Sequence, residues 1–269
     1  FVDILNVYRP KIFVFENVTG MLSAKPGDIP VTERIYSAFK ESGYDVLHPD
    51  KMKSAVFSSY DFEVPQKRKR VIIIGINREW NKSNFLNLDT FYSSIHQHKS
   101  SVRKNVIDSI GNLEKFYPVN KNCNNKKISH SANSNIKDPN HYPRFHNQRD
   151  IKIFEQWIKT NMNDASTEEK QNFYTQKTGK SSSLVKYRNL EWNNPSNTIV
   201  AHLYKDGLLF IHPDPEQSRT ITVREAALLQ SFPEDFEFIG SMGANYKMIG
   251  NAVPPNMAKS IGIAIARVL

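Results

Sequence analysis

The residues best placed to do chemistry stand at the ends of two apolar runs. Phe13-Val14-Phe15 delivers an acid, Glu16, followed by an amide, Asn17. Farther along, Gln66-Lys67-Arg68-Lys69-Arg70 sets two arginines two positions apart, directly before the apolar run Val71 to Ile76. On an extended segment successive side chains point to opposite faces, so Arg68 and Arg70 share one face and Lys67 and Lys69 the other. Paired guanidinium forks can hold a carbonyl oxygen, a carboxylate and a phosphate together. A glutamate ending a neighbouring strand adds a group that gives or takes a proton. The predicted assembly is a polar pocket on a buried sheet. Taken alone, each half has a commoner meaning. A Phe-Glu-Asn caps a turn or makes an ion pair, and a Lys-Arg run is a solvated surface or an import signal. Neither meaning explains Pro65-Gln66 before the arginines or the apolar strand after them.

Positioning these groups requires a sheet covered by helices. Residues 1–9 have the apolar spacing of a helix end, stopped by Pro10. The run 11–15 reads as a buried parallel strand, and 20–30 as loop. Ile35, Ala38 and Phe39 recur at helical spacing, with Gly43 placed just past the helix end. Residues 44–47 and 71–76 read as the next strands. This strand–helix–strand alternation predicts an α/β fold with crossover helices. From about Asn77 the pattern dissolves. Residues 119–147 are rich in Asn, Ser, His and Lys, 150–159 hold one helical patch, and 175–180 are polar. Residues 225–230 read as a helix entered through a Thr222–Glu225 capping box. A last helix, 255–268, carries Ile261, Ile265 and Val268 on its apolar face. The predicted organisation is a first domain over 1–77, a second over 78–245, and a return to the first over 246–269.

Phe15-Glu16-Asn17-Val18, Gln66-Lys67-Arg68-Lys69-Arg70, Arg219 to Ala227 and Gly250-Asn251-Ala252-Val253-Pro254-Pro255 resemble, in this order, four motifs of the DNA (cytosine-5) methyltransferases. The resemblance spans nearly the whole chain. It implies a Rossmann-like methyltransferase domain, a smaller loop-rich target-recognition domain over 78–245, and a final segment that completes the catalytic domain. It also implies S-adenosylmethionine as cofactor and a cytosine flipped out of double-stranded DNA as substrate. By the same resemblance the protein is cytoplasmic and nucleoid-associated, and admits a cognate restriction endonuclease as partner. In this family a thiolate adds at C6 of the ring so that C5 becomes nucleophilic, with an acid beside N3; Glu16 takes that acid's place. Asn17 belongs to the same catalytic motif, its amide suited to fixing the loop. Arg70 contacts the flipped base and Glu16, Arg68 lies near the phosphates, and Gln66 supports their loop. Thr198, in Pro195 to Val200, bonds a phosphate near the flipped base or is simply a β-branched strand residue. Asn251 and Ala252 line the cofactor pocket. Arg219 and Arg224 organise the base of the small domain.

Two departures matter. The family usually has glycine where Glu63 stands. Its Pro-Cys-Gln nucleophile loop and glycine-rich cofactor loop precede the acid, yet only fifteen residues precede Glu16, and Cys123, the sole cysteine, lies far downstream. The expectation is therefore a C-terminal portion, inactive without an N-terminal segment or subunit. Rival readings are the specificity subunit of a split enzyme, a non-catalytic DNA-binding remnant, and a tRNA cytosine-5 methyltransferase.

Composition bounds the rest. Hydrophobic residues make up 39% of the 269, including 16 Phe and 11 Tyr, enough for a core. Net charge +9 fits a polyanionic partner, because Lys and Arg displace phosphate counterions. One cysteine excludes an intrachain disulfide framework and a zinc site of several thiolates. No metal site is expected from the spacing of His130, His141, His146, His202 and His212, which read as surface or loop-stabilising residues. No apolar run reaches the ~18 residues of a membrane span.

Overall fold

In the computed structural model, residues 1–119 and 128–269 are described; Cys123 lies outside the described residues. Along the chain run α1 (Val2–Tyr8), β1 (Ile12–Val18), α2 (Val31–Glu41), β2 (Tyr44–Asp45), β3 (Val56–Ser58), β4 (Gln66–Lys67), β5 (Lys69–Asn77), α3 (Arg78–Asn81) and α4 (Leu88–Gln97). There follow α5 (Val106–Ile110), β6 (Phe116–Pro118), β7 (His130–Ala132), α6 (Gln148–Lys159), α7 (Thr167–Thr178), β8 (Ser196–Asn197), α8 (Val223–Leu229), α9 (Met242–Asn251) and α10 (Pro255–Ala266). The chain divides into two compact units. One comprises Phe1–Glu63, Lys67–Arg103 and Asn256–Leu269, the other Val64–Gln66 and Lys104–Pro255.

The first unit is built on β5, whose residues from Val71 to Asn77 are all buried. Among the described residues every partner of β5 is antiparallel: β1 along 70–76, β2 at 76–77, and β3 at 69–71. β1 and β2, joined by α2, therefore run in the same direction without being neighbours. The expected alternation is present, but β1 is not the buried parallel strand the apolar run suggested. Among the described residues it pairs with β5 alone, antiparallel, and Val14 and Val18 are exposed. A run of apolar residue types does not record which neighbour a strand pairs with, or in which direction. β2 is also shorter than the predicted 44–47.

Between the stretches paired with β2 and β3, the middle of β5 meets a side chain instead of a strand. The Tyr92 hydroxyl of α4 donates to Ile72 O at 3.0 Å and accepts from Ile74 N at 3.1 Å. Burial pushes the Tyr92 phenol well above its usual range. Helix α4 also holds α10 through a Ser94 Oγ bond to Ala264 O at 3.1 Å. Residues 78–103 lie in the first compact unit and α9 in the second, and the chain from Asn256 rejoins the first.

In the second unit, α8 is buried at every residue and starts with the predicted capping box, Thr222 and Glu225 bonding reciprocally. It packs in a core with Val106, Ile110, Leu203, Phe210, Tyr246 and Ile249. A separate aromatic cluster joins Phe154 and Trp157 of α6, Phe173 of α7 and Tyr187. The first four residues of the polar stretch 175–180 close α7, before Gly179 in the left-handed region. Helix α7 buries only Phe173, so it carries almost no apolar periodicity to read.

Candidate active site

The acid and the second arginine meet across β1 and β5. Glu16 is paired with Ile72, and Arg70 with Val18, which makes the two side chains diagonal neighbours on one face. Arg70 Nε lies 2.7 Å from Glu16 Oε1, and the Glu16 side chain is 30% exposed, within reach of a ligand. A further bond from Arg70 Nη1 to Lys69 O at 2.8 Å fixes the guanidinium plane. Asn17 accepts the N–H of Val18 at 2.8 Å, an arrangement that shapes the exit from β1.

Arg68 differs from its expected role. The alternation holds, with Lys67 and Lys69 exposed, but Arg68 is only 2% exposed. Its main-chain N–H reaches Ser59 Oγ at 3.2 Å. Burial first, then the neighbouring Arg70 charge, lowers its pKa to about 10, against the opposing pull of Glu16. It remains a cation at neutral pH, within electrostatic reach of Glu16 and Arg70 and, being buried, closed to a phosphate in this arrangement. Glu63 stands in the left-handed region, φ 57°, a conformation glycine adopts without strain. A Ser100 Oγ bond to its Oε1 at 2.8 Å helps hold it there.

The remaining motif residues lie in the second unit. Gln66 is fully buried and its Oε1 accepts the N–H of Ile199 at 2.9 Å. Thr198, next to Ile199, is half-buried just beyond β8. Asn251 ends α9 with an exposed side chain, and Ala252 is the C-cap. An exposed amide at a helix end fits one polar edge of a cofactor carrying hydroxyl and amino groups. Gly250 is required by packing: a Cβ there would lie 2.3 Å from Ala201 N and 2.4 Å from Val200 C.

Arg219 and Glu225 form a buried double bridge, both N–H to O distances being 2.7 Å. Burial opposes the Glu225 charge, but Arg219 prevails and holds this carboxyl far below the usual range. Arg224 pairs with Asp138. The arginines of this motif thus organise the unit from within. The histidines need correction: His130, His141, His146 and His212 are buried, and only His202 is exposed. Among the described residues no group of His, Cys, Asp and Glu could hold a metal. No helix among them is long and apolar enough to cross a membrane. A cavity of about 430 Å³ lined by Ile107, Lys115, Trp192, Asp214 and Glu216 includes none of the motif residues.

With an acid–arginine pair on an α/β sheet in place, comparison with known proteins gives the class. A crystal structure of a putative DNA modification methyltransferase encoded within a prophage (E. coli) superposes with a TM-score of 0.60 at 18% identity, over 99% of this chain and 72% of that one. Schizosaccharomyces pombe Dnmt2 methyltransferase gives 0.54 at 16%, over 98% and 71%. These likenesses show a shared fold. Residues 1–267 match the family described as C-5 cytosine-specific DNA methylase, and the chain belongs to that family. The type II methyltransferase M.Bpa9945I of Bacillus paralicheniformis is 33% identical over 291 residues, 99% of this chain and 62% of its own length. The type II methyltransferase M.PspPI of Psychrobacter sp. is 31% identical over 267 residues, 97% of this chain and 55% of its own length. The chain therefore spans only about 62% and 55% of these two relatives.

Proposed function

We propose that this chain is the C-terminal portion of a DNA (cytosine-5) methyltransferase of a restriction–modification system. It supplies the groups that activate the flipped cytosine and the residues that choose the target sequence. The observation that carries this reading is the 2.7 Å contact between Arg70 Nε and Glu16 Oε1. In the proposed reaction Glu16 holds a proton at N3 of the base while a thiolate adds at C6. Arg70 orients Glu16 and offers its remaining N–H groups to the base carbonyl. Arg68, buried within electrostatic reach of them, maintains the positive field of the pocket. Asn251 and Ala252 would partly hold S-adenosylmethionine, which when bound would supply the methyl group to C5 and leave as S-adenosylhomocysteine, loss of the C5 proton then expelling the thiolate. The thiolate comes from an N-terminal segment or subunit, since no Pro-Cys-Gln occurs in these 269 residues.

The assay is transfer of labelled methyl to DNA and, in parallel, to tRNA. The isolated chain is expected to be inactive, and addition of a fragment bearing the nucleophile loop to restore transfer to DNA. In the complete enzyme, Glu16→Gln and Arg70→Ala are each expected to lower turnover by ~10²–10⁴-fold while changing DNA affinity little, as positioned acid–base groups do. Loss of affinity with turnover intact would reassign the pair to phosphate anchoring. Transfer to tRNA alone would move the chain to the RNA-modifying branch.

A further inference from the structure

Gln230 follows the last residue of α8 as its C-cap and is fully buried. Its Oε1 accepts from Nε2 of Gln66. Its Nε2 donates to Ile249 O at 3.0 Å and to Ala252 O at 2.9 Å. Gln66 donates in addition to Leu229 O at 3.3 Å and accepts from Ile199 N at 2.9 Å. One pair of amides thus joins three segments of the second unit: the chain just before Arg68, the segment Thr198-Ile199, and the end of α9 where Asn251 and Ala252 stand. A primary amide offers two N–H groups and two lone pairs in a plane, so bonds on both sides fix position and rotation together. Packing by an aliphatic side chain of similar volume would fill the same space without specifying where each segment lies.

We infer that Gln230 is a positioning residue for cofactor binding, holding the Asn251–Ala252 turn in register with the segments tied by Gln66. The inference rests on the assignment of Asn251 and Ala252 to the cofactor proposed above. No catalytic contact is ascribed to Gln230, because it touches only protein groups. The residue also escapes recognition in the sequence, where it closes the apolar run Ala226-Ala227-Leu228-Leu229 as an ordinary helix end.

The two amides can be separated by substitution. Gln230→Met keeps length and volume but releases Ile249 and Ala252, leaving the Gln66–Ile199 bond in place. Gln66→Met does the reverse, leaving Gln230 on Ile249 and Ala252. In the complete enzyme Gln230→Met is expected to raise KM for S-adenosylmethionine roughly tenfold with little change in KM for DNA. That magnitude is modest beside the ~10²-fold that a 1 Å misplacement can cost. Gln66→Met is expected to raise KM for DNA more than KM for the cofactor. Hydrogen exchange without substrates gives a readout independent of activity: faster exchange over 246–254 in Gln230→Met, and over 196–200 in Gln66→Met. A plain packing role would lower the melting midpoint and kcat with both KM values unchanged; that outcome, or exchange confined to 223–230, overturns the inference. If exchange behaves as expected but the enzyme does not methylate cytosine, the tie stands and the proposed function fails, taking the cofactor role with it.

Discussion

At the scale of residues, the charged groups of this protein serve two opposite purposes. Glu16 and Arg70 are paired at a half-open sheet edge, where the carboxylate can reach a ligand. Arg219 and Glu225 are paired where nothing can reach them, both side chains being almost fully buried. Arg219 Nε and Nη2 also donate to Gln217 Oε1 at 3.0 and 2.6 Å, and Glu225 Oε2 accepts the Thr222 N–H at 2.7 Å, so the polar atoms of the pair are met on several sides. A pair of this kind is costly to break from one side, because the remaining charge stays buried without compensation. Arg219→Met is therefore expected to destabilise by about 3–5 kcal/mol. Arg219→Met with Glu225→Leu should recover much of that loss. Urea melts of the single and double variants measure it. A double variant no more stable than Arg219→Met alone would mean that the network acts through more than this pair.

At the scale of elements, β5 organises its unit, and its least regular feature is the most exposed to a single change. One side is covered by β1, but on the other the ladder is completed by a tyrosine hydroxyl. Tyr92→Phe keeps the ring and removes the oxygen, leaving Ile74 N–H and Ile72 C=O buried without that partner. Each unsatisfied group costs roughly 1–3 kcal/mol, so a loss of about 2–6 kcal/mol is expected for the two. The change should also raise amide exchange at Ile74 specifically. A melting midpoint equal to wild type would show that water or a shift of α4 replaces the hydroxyl. The same strand illustrates a close approach: a Cβ on Gly75 would lie 2.1 Å from the Phe13 ring, which is held between Phe39 and Tyr44 at centroid distances of 4.7 and 5.0 Å. At Gly250 the obstacle is backbone, which cannot rotate away.

At the scale of the whole molecule, buried histidines make stability depend on pH. Burial above all lowers the pKa of His130 to about 4 and those of His146 and His212 to about 3. His130 Nε2 bonds Gln217 O at 2.8 Å, His146 Nε2 receives Thr220 N at 3.2 Å, and His212 Nδ1 receives Asp214 N at 3.2 Å. The fold holds the neutral imidazole, so the contribution is complete above the unfolded value of ~6.5 and is lost as pH falls from there towards 3–4. At pH 5.5 each histidine accounts for a loss on the order of 1 kcal/mol, together a few kcal/mol. Denaturant midpoints at pH 7.5, 6.5 and 5.5 should fall in that order. A flat profile would mean that these rings stay protonated or unburied. The carboxylates with lowered pKa, Glu225 and Asp138 among them, add their share only at still lower pH.

Spacing of side-chain types by itself determined that Glu16 and the two arginines, with their alternating lysines, stand at strand ends, and that a capping box at Thr222 opens a helix. Both follow from local chemistry: two-residue alternation on a strand and reciprocal bonds at a helix start. Tertiary structure alone decided that β1 lies antiparallel on β5, that Arg68 is buried, and that α4 belongs with the sheet. It alone brought Gln66 and Gln230 together across 164 positions of sequence, and drew four histidines into the interior. These arrangements depend on which distant segments meet. Burial and pairing are properties of the assembled surfaces, and a one-dimensional pattern of residue types carries no record of the partner on the other side.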